Sequence, residues 1–189
     1  MTEDESGSSG WSLPVILLHW VTGGLVLAVA GLAVFLLSPP EWSQFYIDRY
    51  MAWIGWHRLG GLAVLLLAAG WIALRRLKPR PPRTGGPHMQ AAAILAQGLM
   101  LAFLIALPVS GYLMDALINP ALELPGGVSL PSPLPRHQTF SLALSYIHKW
   151  GGLTLLGIAA LHIAAALWHG QRPDDRTLRA MLPRLGKRK

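Results

Sequence analysis

The histidines are the residues of this chain whose type and spacing could carry chemistry. The sequence has seven, and five of them lie within or at the ends of long apolar segments. An ionisable side chain at membrane depth costs roughly 2.5 kcal/mol or more, so it indicates a function. Imidazole binds transition metals and haem iron. The candidates for such ligation are His19, His57, His148, His162 and His169.

Four of these histidines fall at two matched depths. Counted from the ends of their apolar segments, His19 and His162 lie near one face of the bilayer, and His57 and His148 lie near the opposite face. His148 and His162 are 14 residues apart in one segment. In a helix this is about 1400°, close to four full turns, with a rise of ~21 Å. Both side chains therefore point the same way, separated by most of the hydrocarbon thickness.

Two histidines at each of two levels are what two haems b with two axial imidazoles need. A copper or zinc site would need three or four ligands converging on one point. A flat porphyrin also needs space, and small residues follow each histidine by one turn: Thr22 and Gly23, Gly60 and Gly61, Gly151 and Gly152, and Ala165 and Ala166. Small residues are common at membrane helix contacts, so only their recurrence beside all four histidines is informative. We take Gly23, Gly61 and Gly152 as the cofactor-binding glycines.

Four apolar segments must position these histidines. They are Pro14 to Leu37, Trp53 to Leu74, Ala91 to Met114, and about Leu142 to His169. Each is long enough for a transmembrane helix, which needs ~20 mostly apolar residues. None has the polar face that a helix of a soluble bundle would expose. The sequence therefore predicts an all-α membrane protein, a four-transmembrane-helix bundle.

The composition agrees with a membrane protein and excludes several chemistries. Only 13% of the residues are charged, against about 25% in soluble domains. The chain has no cysteine, which excludes disulfide scaffolds, thiolate zinc sites, iron–sulfur clusters, thiolate-ligated haem and covalently attached haem. The sequence also has no Ser–His–Asp set and no phosphate-binding loop.

Basic residues predict the orientation. Twelve of the 16 Lys and Arg residues lie on one side of a four-helix topology, within residues 75–83 and after residue 171. The positive-inside rule places this side, with both termini, in the cytoplasm. The net charge of +7 is then a topology signal whose partners are anionic membrane lipids. Nucleic-acid binding is not expected.

Two tails flank a predicted domain of residues 13–171. Residues 1–12 are predicted to be disordered, and residues 172–189 form a basic cytoplasmic tail. The second outer loop, about 115–141, holds five prolines and is predicted to be mostly irregular. The first outer loop has aromatic residues on one face of a helix, which predicts a short amphipathic helix in the interface: Trp42, Phe45, Tyr46, Tyr50 and Trp53.

These features resemble the bacterial cytochrome b-561 family, which comprises small four-helix, di-haem cytochromes of the inner membrane. The resemblance covers most of the chain. Its motifs are His19–Trp20, His57 with its glycine pair, Ile105–Pro108 with the following S-G-Y-L-M, His148–Gly151, Leu161–His169 and Asp174–Pro183. It implies that His19 and His162 bind the iron of an inner haem b, and that His57 and His148 bind the iron of an outer haem b.

The resemblance also implies electron exchange with ubiquinone and, for some members, oxidation of superoxide outside the inner membrane. The predicted activity is that of a superoxide:ubiquinone oxidoreductase. Arg58 and Lys149 each follow an outer ligand and are the candidate catalytic residues, which would attract a small anion or contact haem propionates. His169 lies ~10.5 Å nearer the cytoplasm than His162. It is a candidate contact for an inner haem propionate or for quinone, or else an interfacial histidine that ends the helix.

Two other functions remain open. The chain could be a cytochrome b subunit that docks a dehydrogenase or a periplasmic redox carrier and passes its electrons to quinone. It could also bind haem for storage or sensing. Co-purification with a partner protein would favour the first alternative, and haems that do not turn over with quinol would favour the second.

Overall fold

A computed structural model describes residues 11–37, 43–77, 85–172, 175 and 177–182. In this part of the chain, four α-helices and one β-hairpin are followed by a single 3-10 turn at Arg179–Met181. The helices and strands are α1 (Leu13–Leu37), α2 (Gln44–Leu77), α3 (Pro87–Ala116), β1 (Ala121–Leu124), β2 (Val128–Pro131) and α4 (Gln138–Gly170).

The four helices are long and apolar enough to cross a membrane, and many of their large apolar side chains point outward. Leu66 and Leu161, for example, are 74% and 73% exposed on the surface of the bundle. A surface of this kind is unfavourable in water and suits contact with lipid. In the described residues the buried apolar side chains are few, among them Val64, Ala68 and Leu155. The predicted all-α, four-helix membrane bundle is confirmed.

Helix α2 begins well before the predicted membrane segment. It has 34 residues from Gln44, which is about 51 Å at 1.5 Å per residue, and the hydrocarbon core is only ~30 Å thick. Phe45, Tyr46 and Tyr50 lie in its first turns, so the prediction of a separate interfacial helix is wrong for these residues. No glycine or proline interrupts residues 44–54, and the helix therefore continues through them. Trp42 lies outside the described residues.

The second long loop contains a β-hairpin, so the prediction of a mostly irregular segment is wrong for residues 121–131. Strands β1 and β2 pair antiparallel, and Leu124 lies opposite Val128. Gly126 and Gly127 in the connecting turn have φ angles of 80° and 75°, which glycine adopts without strain. The prolines permit this pairing because they lie in the turn and at the end of β2.

The hairpin covers one end of the bundle. Strand β1, whose Leu122 is buried, packs on α2 and α3. Pro125 lies 3.3 Å from the position that a Cβ would take on Gly55 of α2. We call this end, which has the hairpin and the starts of α2 and α4, the hairpin end. The opposite end, where α1 begins and α4 finishes, is the terminal end.

Close helix packing in the described part of the chain joins helices that are consecutive in sequence. Helix α1 packs on α2, α2 on α3, and α3 on α4. In the same residues no comparable packing joins α4 to α1 or to α2. A space therefore separates α4 from the first two helices, and the histidines that face each other do so across this space.

Most of the two predicted tails lies outside the described residues. Of the first tail, only Trp11 and Ser12 are described, and the Ser12 carbonyl accepts hydrogen bonds from the amides of Val15 and Ile16 in α1. Of the second, residues 172, 175 and 177–182 are described. This part of the tail is packed on the bundle, because Met181 contacts Trp20 of α1 and Asp175 contacts His169 of α4.

Candidate functional site

The structure brings the four depth-matched histidines together as two pairs, each across the space beside α4. His57 on α2 faces His148 on α4, with ring centres 6.0 Å apart and ring planes at 79°. His19 on α1 faces His162 on α4, with ring centres 6.2 Å apart and ring planes at 54°. We call these the hairpin-side pair and the terminal-side pair.

The spacing within each pair suits one metal atom between two imidazoles. A metal–imidazole bond is about 2.0–2.1 Å long and the ring centre lies roughly 1 Å behind the nitrogen, so two opposed ligands place their ring centres about 6 Å apart. In the described residues no group of three or more His, Cys, Asp or Glu could hold a metal ion. Two imidazoles per site suit haem iron better than zinc or copper.

Backbone carbonyls orient both rings of the hairpin-side pair. His57 Nδ1 lies 3.1 Å from the carbonyl oxygen of Val29 on α1. His148 Nδ1 lies 2.9 Å from the carbonyl oxygen of Leu107 on α3. A carbonyl oxygen only accepts, so each Nδ1 carries the proton and donates it, and each Nε2 keeps the lone pair that a metal binds. This is the usual arrangement of a metal-ligating histidine.

An apolar cleft of about 770 Å³, including its open side, surrounds the hairpin-side pair. All four helices line the cleft, and among its lining residues the polar side chains are those of His57, His148 and Lys149. Because the walls are apolar, the cleft excludes water from the two rings and suits a large apolar ligand.

The three glycines predicted to bind the cofactor face open space. A Cβ placed on Gly23, Gly61 or Gly152 would have no atom within 4 Å. Gly61 and Gly152 line the cleft beside the hairpin-side pair, and Gly23 follows His19 by one turn. A flat ring system could lie against the backbone at these three positions.

The neighbouring glycines have the opposite surroundings. A Cβ on Gly60 would lie 2.4 Å from Val29 Cγ2, and one on Gly151 would lie 2.9 Å from Leu107 Cδ2. Both distances are shorter than carbon atoms in contact adopt, which is about 3.5–4.0 Å. In each pair of glycines, one therefore leaves space for a ligand, and the other lets two helices approach closely.

The terminal-side pair has a different environment. His19 lies edge-on to the rings of Trp20 and Trp71, with ring centres 5.3 and 6.4 Å away. Among the described residues, His19 Nδ1 is buried without a hydrogen-bond partner, as is Oγ1 of Thr22 one turn along α1. Buried polar atoms are rarely left in this state. A buried imidazole without a protein partner fits a site for a non-protein ligand.

His169 lies in a contact with the C-terminal segment. Its Nδ1 donates to the carboxylate of Asp175, so its predicted contact with a cofactor or quinone stays a prediction. Hydrogen bonds from Thr177, and then from His169, lower the pKa of the Asp175 carboxyl from 3.8 to about 2. Trp20, next to His19, donates from Nε1 to the carbonyl oxygen of Met181 at 2.7 Å. The segment is therefore attached to both α4 and α1.

The two candidate cations near the hairpin-side pair have different contacts. Arg58 Nη2 donates to Asp115 Oδ1 at 2.5 Å, and Nη1 donates to the carbonyl oxygen of Glu123 at 3.2 Å. Asn119 also donates to Asp115 Oδ1, at 3.0 Å. Lys149, by contrast, is exposed and lines the cleft. Arg58 is thus an ion-paired residue that ties α2 to α3 and to the hairpin, and Lys149 carries an exposed charge beside the cleft.

The motifs Ile105–Pro108 and S-G-Y-L-M contain the residues of α3 that contact His148, but sequence reasoning gave them no such contact. Leu107 and Ser110 hydrogen-bond to its Nδ1, and Gly111 packs against its ring. The signal that could have found them is P-V-S-G, a proline and two small residues inside an apolar segment. Asp115 was missed as well, because its partner Arg58 is 57 residues away in the chain.

The residues of both pairs fit an iron porphyrin. At the hairpin-side pair, the ring spacing, the free Nε2 lone pairs and the apolar cleft all suit axial ligation of haem. At the terminal-side pair, the ring spacing is the same within 0.2 Å, the His19 ring has an unpartnered nitrogen, and Gly23 faces open space.

The comparison with known proteins agrees with this geometry. Residues 10–184, most of the chain, match the family model for prokaryotic cytochrome b561. No curated protein matches the chain. The family implies haem b binding and an electron-transfer role, and with the four apolar helices it supports a multi-pass membrane protein. The resemblance that the sequence motifs indicated is confirmed, and the chain belongs to the prokaryotic cytochrome b561 family.

Proposed function

We propose that the chain binds two haems b, one within each histidine pair, and moves electrons across the bacterial inner membrane from superoxide to ubiquinone. The observation that carries the proposal is the pair geometry, with ring centres 6.0 and 6.2 Å apart at two levels of the bundle. On α4 these levels are ~21 Å apart. Bound haem b supplies reversible one-electron transfer at its iron.

The basic residues support an orientation with the terminal end in the cytoplasm. Arg75 and Arg76 lie in the last turn of α2, and Arg172 and Arg179 follow α4. All four lie at the terminal end, which the positive-inside rule places in the cytoplasm. The hairpin end then faces the periplasm, and the hairpin-side pair is the one nearest to an electron donor outside.

The surroundings of the hairpin-side pair favour a small anionic donor. Lys149 is exposed at the cleft, and a positive charge at a low-dielectric cleft raises the local concentration of anions and their encounter rate. Superoxide carries a negative charge and ubiquinol does not, so this field favours superoxide. Arg58 adds less to the field, because Asp115 pairs with its guanidinium. We assign Arg58 to holding the hairpin and Lys149 to steering the anion.

The oxidation of two superoxide anions supplies the electrons for the reduction of one ubiquinone. Each superoxide anion that is oxidised to dioxygen gives up one electron. Ubiquinone takes two electrons and two protons to become ubiquinol, so two superoxide anions are consumed for each quinone reduced. Because the protein transfers electrons alone between the two substrates, the two protons come from water at the quinone.

The test is stopped-flow reduction of the purified, haem-loaded protein by superoxide, at increasing ionic strength, with ubiquinol as a parallel reductant. Two haems per chain are expected, and the superoxide rate should fall as salt rises, because salt screens the attraction. Lys149→Gln should lower the superoxide rate several-fold and flatten its salt dependence. Lys149→Arg, which keeps the charge, is the matched control.

Three outcomes would overturn the proposal. A haem-free preparation from haem-replete cells would refute haem binding. A parent protein whose superoxide rate does not depend on salt would refute anion steering. Equal slowing of the superoxide and ubiquinol reactions in Lys149→Gln would also refute it, and would favour a subunit that docks a dehydrogenase or a periplasmic carrier.

A further inference from the structure

We infer that helix α3, which contributes no histidine to either pair, sets the orientation and donor strength of His148, and that the hairpin-side haem therefore has the lower reduction potential of the two. The inference rests on the proposed ligation of haem by the two histidine pairs. It assigns a positioning role to Leu107, Ser110 and Gly111.

The first observation is the contact between α3 and the His148 ring. His148 Nδ1 lies 2.9 Å from the Leu107 carbonyl oxygen and 3.2 Å from Ser110 Oγ. Ser110 Oγ itself donates to the Leu107 carbonyl at 2.9 Å, so its hydroxyl proton is already used and its lone pairs face Nδ1. Two acceptors therefore share the single Nδ1 proton, which fixes both the tautomer and the rotation of the ring.

The second observation is that this contact requires glycine. A Cβ on Gly111 would lie 2.9 Å from His148 Cε1 and 3.2 Å from His148 Nδ1. The first distance is shorter than real Cβ contacts, so any larger residue would push the ring or the helix away. The Leu107 carbonyl could then no longer lie 2.9 Å from Nδ1.

His57, the other histidine of the hairpin-side pair, also donates to a backbone carbonyl beside a closely packed glycine. His57 Nδ1 donates to the Val29 carbonyl at 3.1 Å, and Gly60 permits the close approach of α2 to α1 at that residue, because a Cβ there would lie 2.4 Å from Val29 Cγ2. Both ligands of the hairpin-side pair thus donate to a backbone carbonyl beside a closely packed glycine.

The terminal-side pair lacks this construction in the described part of the chain. His19 Nδ1 is buried there without a hydrogen-bond partner. The ring contacts of His19 are with Trp20 and Trp71, and neither side chain offers a carbonyl or hydroxyl oxygen as an acceptor.

This difference in hydrogen bonding predicts which of the two haems has the lower reduction potential. An imidazole that donates its Nδ1 proton to a carbonyl becomes more basic at Nε2 and a stronger donor to a bound metal. Stronger donation favours the more positive, oxidised state of the iron and lowers its reduction potential. At equilibrium a single electron would therefore reside mainly at the terminal-side pair, and transfer from the hairpin end to the terminal end would be downhill.

The experiment is a redox titration of the purified, haem-loaded protein, followed optically and by the low-spin electron paramagnetic resonance signals. Two one-electron steps are expected in the parent protein. If the hydrogen bonds to the ligands favour the oxidised over the reduced iron tenfold, the potential is lower by about 59 mV for one electron. The His148→Ala variant should retain the higher-potential step, and the His162→Ala variant should retain the lower one.

Gly111→Ala tests the role of α3 directly. It should raise the lower potential and shift the resonance of that haem, without changing the haem content or the higher-potential step. Gly98→Ala, on the same helix but with no atom within 4 Å of its Cβ, should change neither potential. Gly60→Ala acts on the other ligand and should move the same step in the same direction, so a Gly111→Ala protein that fails to assemble leaves the test intact.

Two results would overturn the inference. One is that His148→Ala retains the lower-potential step, because the order of the two haems would then be reversed. The other is that Gly111→Ala and Gly60→Ala have the same two reduction potentials as Gly98→Ala. Either result could occur in a protein that binds two haems and reacts with superoxide, so this failure is distinct from failure of the proposed function.

Discussion

Alanine in place of Gly60 should destabilise the bundle, because its Cβ would overlap a side chain of α1. The Cβ position lies 2.4 Å from Val29 Cγ2, and carbon atoms in contact are normally about 3.5–4.0 Å apart. Overpacking of this kind costs about 1–3 kcal/mol. The better helix propensity of alanine offsets about 1 kcal/mol of this cost, so we expect a net loss of up to about 2 kcal/mol in the free energy of unfolding.

A second substitution identifies the source of the loss. Val29→Ala removes both Cγ atoms and leaves room for the new Cβ, so the double variant Gly60→Ala, Val29→Ala should recover most of the stability. The two positions should then show a coupling energy within the range of about 0.5–3 kcal/mol that is typical of residues in contact. Gly98→Ala is the matched control, because its Cβ would have no atom within 4 Å and Gly98 does not line the cleft.

The assay is thermal unfolding of the detergent-solubilised, haem-loaded protein, followed by circular dichroism for the helices and by haem absorbance for the site. Equal unfolding temperatures for Gly60→Ala and Gly98→Ala would refute the close-approach role of Gly60. Additive losses in the double variant would refute the contact with Val29, since independent sites add and neighbours in contact do not.

Three further predictions follow from the structure. His148→Ala should lose the hairpin-side haem and His19→Ala the terminal-side haem. His88, in the first turn of α3, belongs to neither pair, so His88→Ala should keep both haems; haem quantification checks this, and loss of haem only in His88→Ala would contradict the ligand assignment. Asp115→Ala leaves the half-buried Arg58 without its carboxylate partner and should lower the free energy of unfolding by about 2 kcal/mol, between the values for exposed and buried ion pairs. Hydrogen exchange in residues 121–131 should become faster, and Asp115→Asn should cost less. Unchanged exchange in both variants would argue against Arg58 as the anchor of the hairpin. The Asp175 carboxyl has its pKa lowered from 3.8 to about 2, so its contribution to docking the C-terminal segment is complete above pH ~4 and is lost as the pH falls through about 2. A spin label on Ala180→Cys should therefore become mobile over that interval and be mobile throughout in Asp175→Asn, and equal mobility in both proteins would exclude the carboxylate as the attachment.

The positions of the two histidine pairs could be predicted because they depend on properties that are local in sequence. Apolar segments give the membrane depth, and 3.6 residues per turn gives the direction of each side chain. Both are sufficient to match His148 with His57 and His162 with His19, although α4 packs closely on neither α2 nor α1 in the described residues. The same arithmetic put Gly61 and Gly152 four residues beyond a ligand, and both face open space.

Features that depend on tertiary contacts could not be predicted in the same way. Nothing local distinguishes Gly60, which packs against Val29, from Gly61, which faces the cleft, because the difference arises from where α1 lies. The number of prolines in residues 115–141 favours an irregular segment, whereas the hairpin at 121–131 depends on where they lie relative to the turn. The bond between His169 and Asp175 depends on the path of the chain after α4, which a basic composition does not predict.

The attachment of α4 to α3 alone bears on how the protein is assembled. Among the described residues, α4 packs closely on α3 alone, and the two histidine pairs face each other across the space that remains. Helices α1, α2 and α3 can therefore form a three-helix unit in the bilayer before any cofactor arrives. A porphyrin that partitions into lipid can then enter sideways between α4 and the first two helices without separating a packed helix pair. Cofactor insertion would complete the bundle, and the abundance of the mature protein would follow the haem supply of the cell.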